Sequence, residues 1–169
     1  MKGDKMHQFT MEEVLGIAIR IEKNAQEYYR RASEIVTDIR AKVILKDLAL
    51  WEVKHETLFR KLQQDVIDAK INSSGIMSDV AGYLGAVADS SIFDIDQFDH
   101  QLRNLTDDPH TILIEALNRE KDSVVFYTLL KKAIPGDRRK EAVEDVIAEE
   151  ISHVVFIMKK IGELLDKKR

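Results

Sequence analysis

The two halves of this chain carry the same arrangement of acidic residues and histidines. In each half, a single Glu is followed 30 residues later by a Glu-x-x-His pair. The first-half residues are Glu22, Glu52 and His55, and their counterparts, each 98 residues later, are Glu120, Glu150 and His153. The halves align without a gap, so the chain is predicted to contain two copies of one structural unit.

The sequence around these residues is typical of long amphipathic helices, since apolar residues recur every three or four positions. The predicted inward residues of the first helix are Ala18, Ile21, Ala25, Tyr28, Ala32 and Ile35, and those of the second are Val43, Ile44, Leu48, Trp51, His55, Leu58 and Leu62. Each unit is therefore a helical hairpin. The expected fold class is all-α, a four-helix bundle.

Local signals mark where the hairpins begin and end. Thr10 and Glu13 have the spacing of a capping box, and Asp108 followed by Pro109 is a helix start. Turns are expected near 37–38 and 134–137. We therefore predict a single domain, residues 1–169, with hairpins over about 10–70 and 108–166 and a crossover over 71–107.

The crossover is less regular than the hairpins, and its segments 77–88 and 94–105 could form short helices. Two interpretations stay open. The crossover covers the bundle and returns the chain to its starting end, or its small residues build the interface of a homodimer.

Composition excludes several classes of function. Lys and Arg are interspersed with Asp and Glu, and the net charge is −4, so neither nucleic acid nor an anionic membrane is an expected partner. The absence of Cys excludes disulfides and thiolate metal sites. We see no signal peptide and no transmembrane segment, so we expect a cytoplasmic protein.

Glu52 and His55 lie on one helix face together with Leu48, Phe59 and Leu62, so both should point into the interior. An unpaired buried charge is costly, and four buried carboxylates would raise one another's pKa values. Two divalent cations would neutralise them. Carboxylate and imidazole ligands suit iron, manganese or zinc, in a pair about 3.5–4 Å apart.

On these six residues the chain resembles the ferritin-like superfamily, specifically rubrerythrin-type diiron carboxylate domains. The resemblance implies a ferritin-like bundle that binds two iron ions. It also implies that Glu52 and Glu150 bridge the ions. The remaining ligands would be Glu22 and His55 for one ion and Glu120 and His153 for the other. Tyr29 and Tyr127 would hydrogen-bond the carboxylate ligands.

The chain departs from rubrerythrin in two ways. Rubrerythrins have an additional Glu where this chain has Ser123, and they carry a rubredoxin-like domain with a Cys-bound iron. Because this chain has no Cys, we expect electrons to come from a separate donor protein.

The resemblance implies an oxidoreductase, of peroxidase or ferroxidase type, that reduces hydrogen peroxide or dioxygen. Two alternatives remain: an iron-binding ferroxidase in iron handling, or a metal-stabilised bundle that acts as an interaction module.

Overall fold

The computed structural model describes residues 9–71, Val80, Tyr83 and residues 108–166. This part of the chain contains four long helices: α1 (Met11–Ile35), α2 (Ile39–Asp68), α3 (Pro109–Ala133) and α4 (Asp137–Asp166). The all-α prediction is confirmed. The short helices expected within 77–88 and 94–105 lie outside the described residues, apart from Val80 and Tyr83.

The helix starts follow from their capping residues. The Thr10 hydroxyl accepts a hydrogen bond from the backbone N–H of Glu13, whose carboxylate accepts one from the Thr10 N–H in return. Asp38 accepts from two N–H groups at the start of α2, and Asp108 from the N–H of Thr111. These side chains satisfy donors that the helix itself leaves unpaired.

The helices pack first as two hairpins and then as a bundle. α1 lies along α2, and α3 lies along α4, because connections of three residues join neighbouring antiparallel helices. Across the bundle, α1 contacts α3 and α2 contacts α4. Each hairpin therefore presents both of its helices to the other hairpin.

The apolar core of the bundle is divided into two clusters. The first cluster combines the N-terminal half of α1 with the C-terminal part of α2, the C-terminal half of α3 and the N-terminal part of α4. The second cluster joins the opposite halves of the same helices. Val80 is buried in the first cluster, and Tyr83 packs against it. Between the two clusters lies the part of each helix that carries the repeated Glu and His residues.

Two residues predicted to face inward are exposed instead. Ile35 is 41% exposed because it ends α1, and Val43 is 52% exposed. Ile44 and Leu45 take the inward positions on α2. Successive residues of a helix are rotated by about 100° about its axis. Because Ile44 and Leu45 face the core, the rotation places Val43 on the outer surface of α2. In the described part of the chain, no helix has an apolar stretch long enough to cross a bilayer.

Two glycines of the second hairpin should respond in opposite ways to alanine. Gly136, just before α4, has φ +88°, and an added Cβ would lie 3.1 Å from Nη1 of Arg139, so Gly136→Ala should destabilise by roughly 1–2 kcal/mol. Gly162 lies within α4 with open space around it, so Gly162→Ala should stabilise by about 0.5–1 kcal/mol. Urea unfolding would measure both changes. Effects of the same sign would contradict this description.

Candidate metal centre

A layer of charged side chains separates the two apolar clusters. Every helix contributes to it: α1 and α3 one Glu each, α2 and α4 a Glu and a His each. The exposed fractions of Glu22, Glu52, His55, Glu120, Glu150 and His153 are 0%, 2%, 2%, 2%, 0% and 6%, respectively. The structure therefore brings together, in the interior, all six residues that the repeat singles out.

The six side chains form two overlapping groups of four. One group is Glu22, Glu52, His55 and Glu150; the other is Glu52, Glu120, Glu150 and His153. Within each group, one potential ligand atom per residue lies within 4.8 Å of every other. Glu52 and Glu150 belong to both groups. Two ions held in this layer would therefore share these two carboxylates.

His55 directs its Nδ1 atom into the layer. This atom is 3.1 Å from Oε1 of Glu150, 3.2 Å from Oε2 of Glu52 and 3.9 Å from Oε2 of Glu22. Carboxylate oxygens of three helices thus converge on one imidazole nitrogen.

His153 repeats this arrangement on the other side of the layer. Its Nδ1 atom is 3.2 Å from Oε2 of Glu120, 3.4 Å from Oε2 of Glu150 and 3.8 Å from Oε1 of Glu52. The two imidazole rings lie nearly parallel, with centroids 5.5 Å apart.

Two buried tyrosines hold the unshared carboxylates. The Tyr29 hydroxyl donates a hydrogen bond of 2.5 Å to Oε1 of Glu120, and the Tyr127 hydroxyl donates to Oε1 of Glu22. Both bonds run from one hairpin to the other. Burial and the adjacent carboxylates raise the pKa of each tyrosine well above its usual value, so both hydroxyls keep their protons for these bonds.

Two solved structures resemble this bundle over nearly its whole length. One, from Thermotoga maritima and described as a ferritin-like diiron-carboxylate protein, has a TM-score of 0.66 and 23% sequence identity, covering 93% of this chain and 97% of that one. The other, a hypothetical protein of Pyrococcus furiosus, has a TM-score of 0.65 and 21% identity, covering 94% and 92%. No protein-family model and no curated protein sequence matches the chain.

The fold is ferritin-like. This confirms the architecture that the sequence resemblance implied. In this ferritin-like bundle, Ser123 is buried one turn after Glu120 and provides no carboxylate to the layer.

The surrounding carboxylates favour the protonated form of both histidines. Burial opposes a charge on either ring, but the carboxylates of Glu150 and Glu52 outweigh it and raise the pKa of His55 to about 11. The carboxylates of Glu120 and Glu150 likewise raise the pKa of His153 to about 9. At neutral pH, protonated imidazoles therefore offset part of the negative charge.

The carboxylates are divided between protonated and ionised forms. Burial and the charges of Glu52 and Glu150 raise the pKa of Glu22 well above its usual value, and burial with the charge of Glu52 raises the pKa of Glu150 to about 8. Burial also opposes a charge on Glu120, but His153 beside it lowers its pKa below the usual value. Protons thus perform the neutralisation that metal ions would perform in a loaded site.

The residues present fit a pair of metal ions. Among the described residues, Oε2 of Glu22, Oε1 of Glu52 and both carboxylate oxygens of Glu150 have no well-aligned hydrogen-bond donor, although imidazole nitrogens approach Glu150 to 3.1 and 3.4 Å. Buried oxygens without a partner are costly. A cation between them would satisfy these atoms, and oxygen and imidazole nitrogen are the ligand types used by iron, manganese and zinc.

Two further side chains contact the outer sides of the histidines. Nε2 of His55 is 3.0 Å from Oε2 of Glu149, and the indole of Trp51 stacks on the ring of His153, with centroids 4.6 Å apart and an angle of 17°. Sequence reasoning missed Glu149 and placed Trp51 only among inward residues. Only the packing of α2 against α4 reveals these contacts.

The stability of the metal-free protein should fall as pH rises above 6.5. A histidine whose folded-state pKa is raised stabilises fully below its unfolded value of 6.5, and this contribution is lost as pH rises through the folded values of about 9 and about 11. Thermal unfolding of chelator-treated protein at several pH values would measure the slope. His153→Gln should flatten it, whereas His110→Gln, outside the layer, should not. A Tm that rises over this range would contradict the assignment.

Proposed function

We propose that this protein binds two metal ions, in its working form iron, and acts as a diiron oxidoreductase that reduces hydrogen peroxide or dioxygen. The observation that carries the proposal is the pair of overlapping four-residue groups with Glu52 and Glu150 in common. The neighbour from Thermotoga maritima, described as a ferritin-like diiron-carboxylate protein, supports the choice of iron.

Each side of the layer would hold one ion. Glu22 and His55 would bind one, Glu120 and His153 the other, and Glu52 and Glu150 both. The four glutamates balance the charge of two divalent cations when ionised. Since histidines and carboxylates must lose their protons to become ligands, loading would release protons from the layer.

Two ferrous ions there would supply the two electrons that, with two protons, reduce one hydrogen peroxide to two waters, each iron passing from +2 to +3. The chain itself provides the fixed ligand positions. Tyr127 and Tyr29 hold Glu22 and Glu120 from the opposite hairpin, so each of these carboxylates is tied to both halves of the bundle. Such outer hydrogen bonds keep ligands oriented while charge on the ions changes.

The apolar clusters on either side of the layer would keep bulk water from the ions. Buried tyrosines and aliphatic residues form both clusters, and the first cluster also contains two buried phenylalanines, Phe59 and Phe126. A low-dielectric surrounding strengthens the attraction between ions and carboxylates. We further propose that a separate protein returns the electrons, since this chain has no cysteine with which to hold a second iron centre.

Anaerobic stopped-flow oxidation tests the activity. We expect one equivalent of hydrogen peroxide to oxidise both irons of protein loaded with two Fe(II) per chain, faster than it oxidises free Fe(II), because both electrons are available at one site. Glu120→Ala should remove this advantage, since Glu120 is an unshared ligand. Glu115→Ala, an exposed Glu on the same helix, should retain it.

Two outcomes would count against peroxide reduction. Oxidation no faster than that of free Fe(II), or equally fast in the Glu120→Ala variant, would refute the activity. Oxidation of the loaded site by dioxygen but not by peroxide would restrict the activity to dioxygen reduction, which an iron-handling ferroxidase also performs.

A further inference from the structure

The two histidines of the layer have different outer neighbours although their inner surroundings match. In the 98-residue repeat, the counterpart of Trp51 is Glu149. Glu149 contacts the ring nitrogen of His55 that points away from the layer, and Trp51 covers a face of His153. The two equivalent positions of the repeat therefore differ: the carboxylate of Glu149 lies beside His55, and the indole of Trp51 lies beside His153.

Glu149 accepts a hydrogen bond from the outer nitrogen of His55. When the proton lies on Nε2, the lone pair of Nδ1 points inward, where it faces oxygens of Glu52 and Glu150 at 3.2 and 3.1 Å. A carboxylate partner on a metal-binding histidine fixes its tautomer and ring orientation, and it makes the imidazole a stronger donor to the ion. The contact thus prepares Nδ1 of His55 for a cation.

Trp51 acts differently on His153. Its indole is nearly parallel to the imidazole and is itself held by Phe156, whose ring lies 5.4 Å away at 72°. Stacking fixes the orientation of the imidazole but accepts no proton from it. Among the described residues, no carboxylate or carbonyl accepts a hydrogen bond from Nε2 of His153.

The remaining ligands do not remove this difference. Each unshared Glu accepts one tyrosine hydrogen bond from the opposite hairpin, and Glu52 and Glu150 serve both sides. Resting on the proposed function, we infer that the two ion positions are unequal. The position beside His55 binds its ion first and more tightly, and Glu149 is the positioning residue that causes this.

Anaerobic titration with Co(II), followed by visible absorption and calorimetry, tests this inference. We expect two binding steps in the unmodified protein. Glu149→Gln should weaken the tighter step by about 10- to 100-fold and leave the weaker step unchanged. Glu141→Gln, an exposed Glu on the same helix with the same change of charge, should alter neither step.

Two ligand variants assign the steps to positions. Glu22→Gln should remove the tighter step, because Glu22 serves only the His55 side, and Glu120→Gln should remove the weaker one. In proton NMR of the cobalt form, the Nε2 proton of His55 should give a shifted resonance in water. Glu149→Gln should broaden this signal by solvent exchange, an effect that a merely structural role of Glu149 would not produce.

The outcomes separate this inference from the proposed function. Two ions bound with equal affinity, or equal effects of Glu149→Gln and Glu141→Gln, would refute the inequality while leaving the two-ion site intact. A Glu149→Gln effect on the step that Glu120→Gln removes would also refute it. Failure of the unmodified protein to bind Co(II) would refute both proposals.

Discussion

The structure depends on how four carboxylates and two imidazoles are neutralised inside a helical bundle. Glu22, Glu52, Glu120 and Glu150 are at most 2% exposed, and the apolar core is divided to make room for them. Removing charges from water is expensive unless each gains a close partner. The raised pKa values of Glu22, Glu150 and the two histidines show that the layer favours protons as such partners. Among the described residues, oxygens of Glu22, Glu52 and Glu150 still lack a well-aligned hydrogen-bond donor, which leaves room for a cationic partner.

The division of the core into two clusters explains why the charged side chains of the layer have fixed positions. Each helix passes from one apolar cluster to the other, and its charged residues lie in the interval between them. Tightly packed side chains on both sides fix the height and rotation of each helix. The hydrogen bonds of Tyr29 and Tyr127 then tie each hairpin to a carboxylate of the other. The positions of the candidate ligands are therefore set by the packing of the bundle itself.

Much of this arrangement could be predicted from the sequence because it depends on positions along single helices. The caps at Thr10 and Asp108 and the apolar period define the helices, and the 98-residue repeat singles out the six residues that the structure gathers. Glu149 and Trp51 could not be predicted as partners of the histidines, since these contacts depend on the rotation of α2 against α4. The outward position of Val43 was missed for the same reason.

The metal content of the protein and of one variant tests the central claim most directly. After anaerobic loading with Fe(II) and desalting, the unmodified chain should retain about two ions. Because Glu52 belongs to both groups of four, Glu52→Ala should lose both ions. Glu56→Ala changes a Glu one turn further along α2 that pairs with Gln26 and Arg60, and it should retain two. Unchanged iron in the Glu52→Ala variant, or no iron in the unmodified protein, would contradict the account.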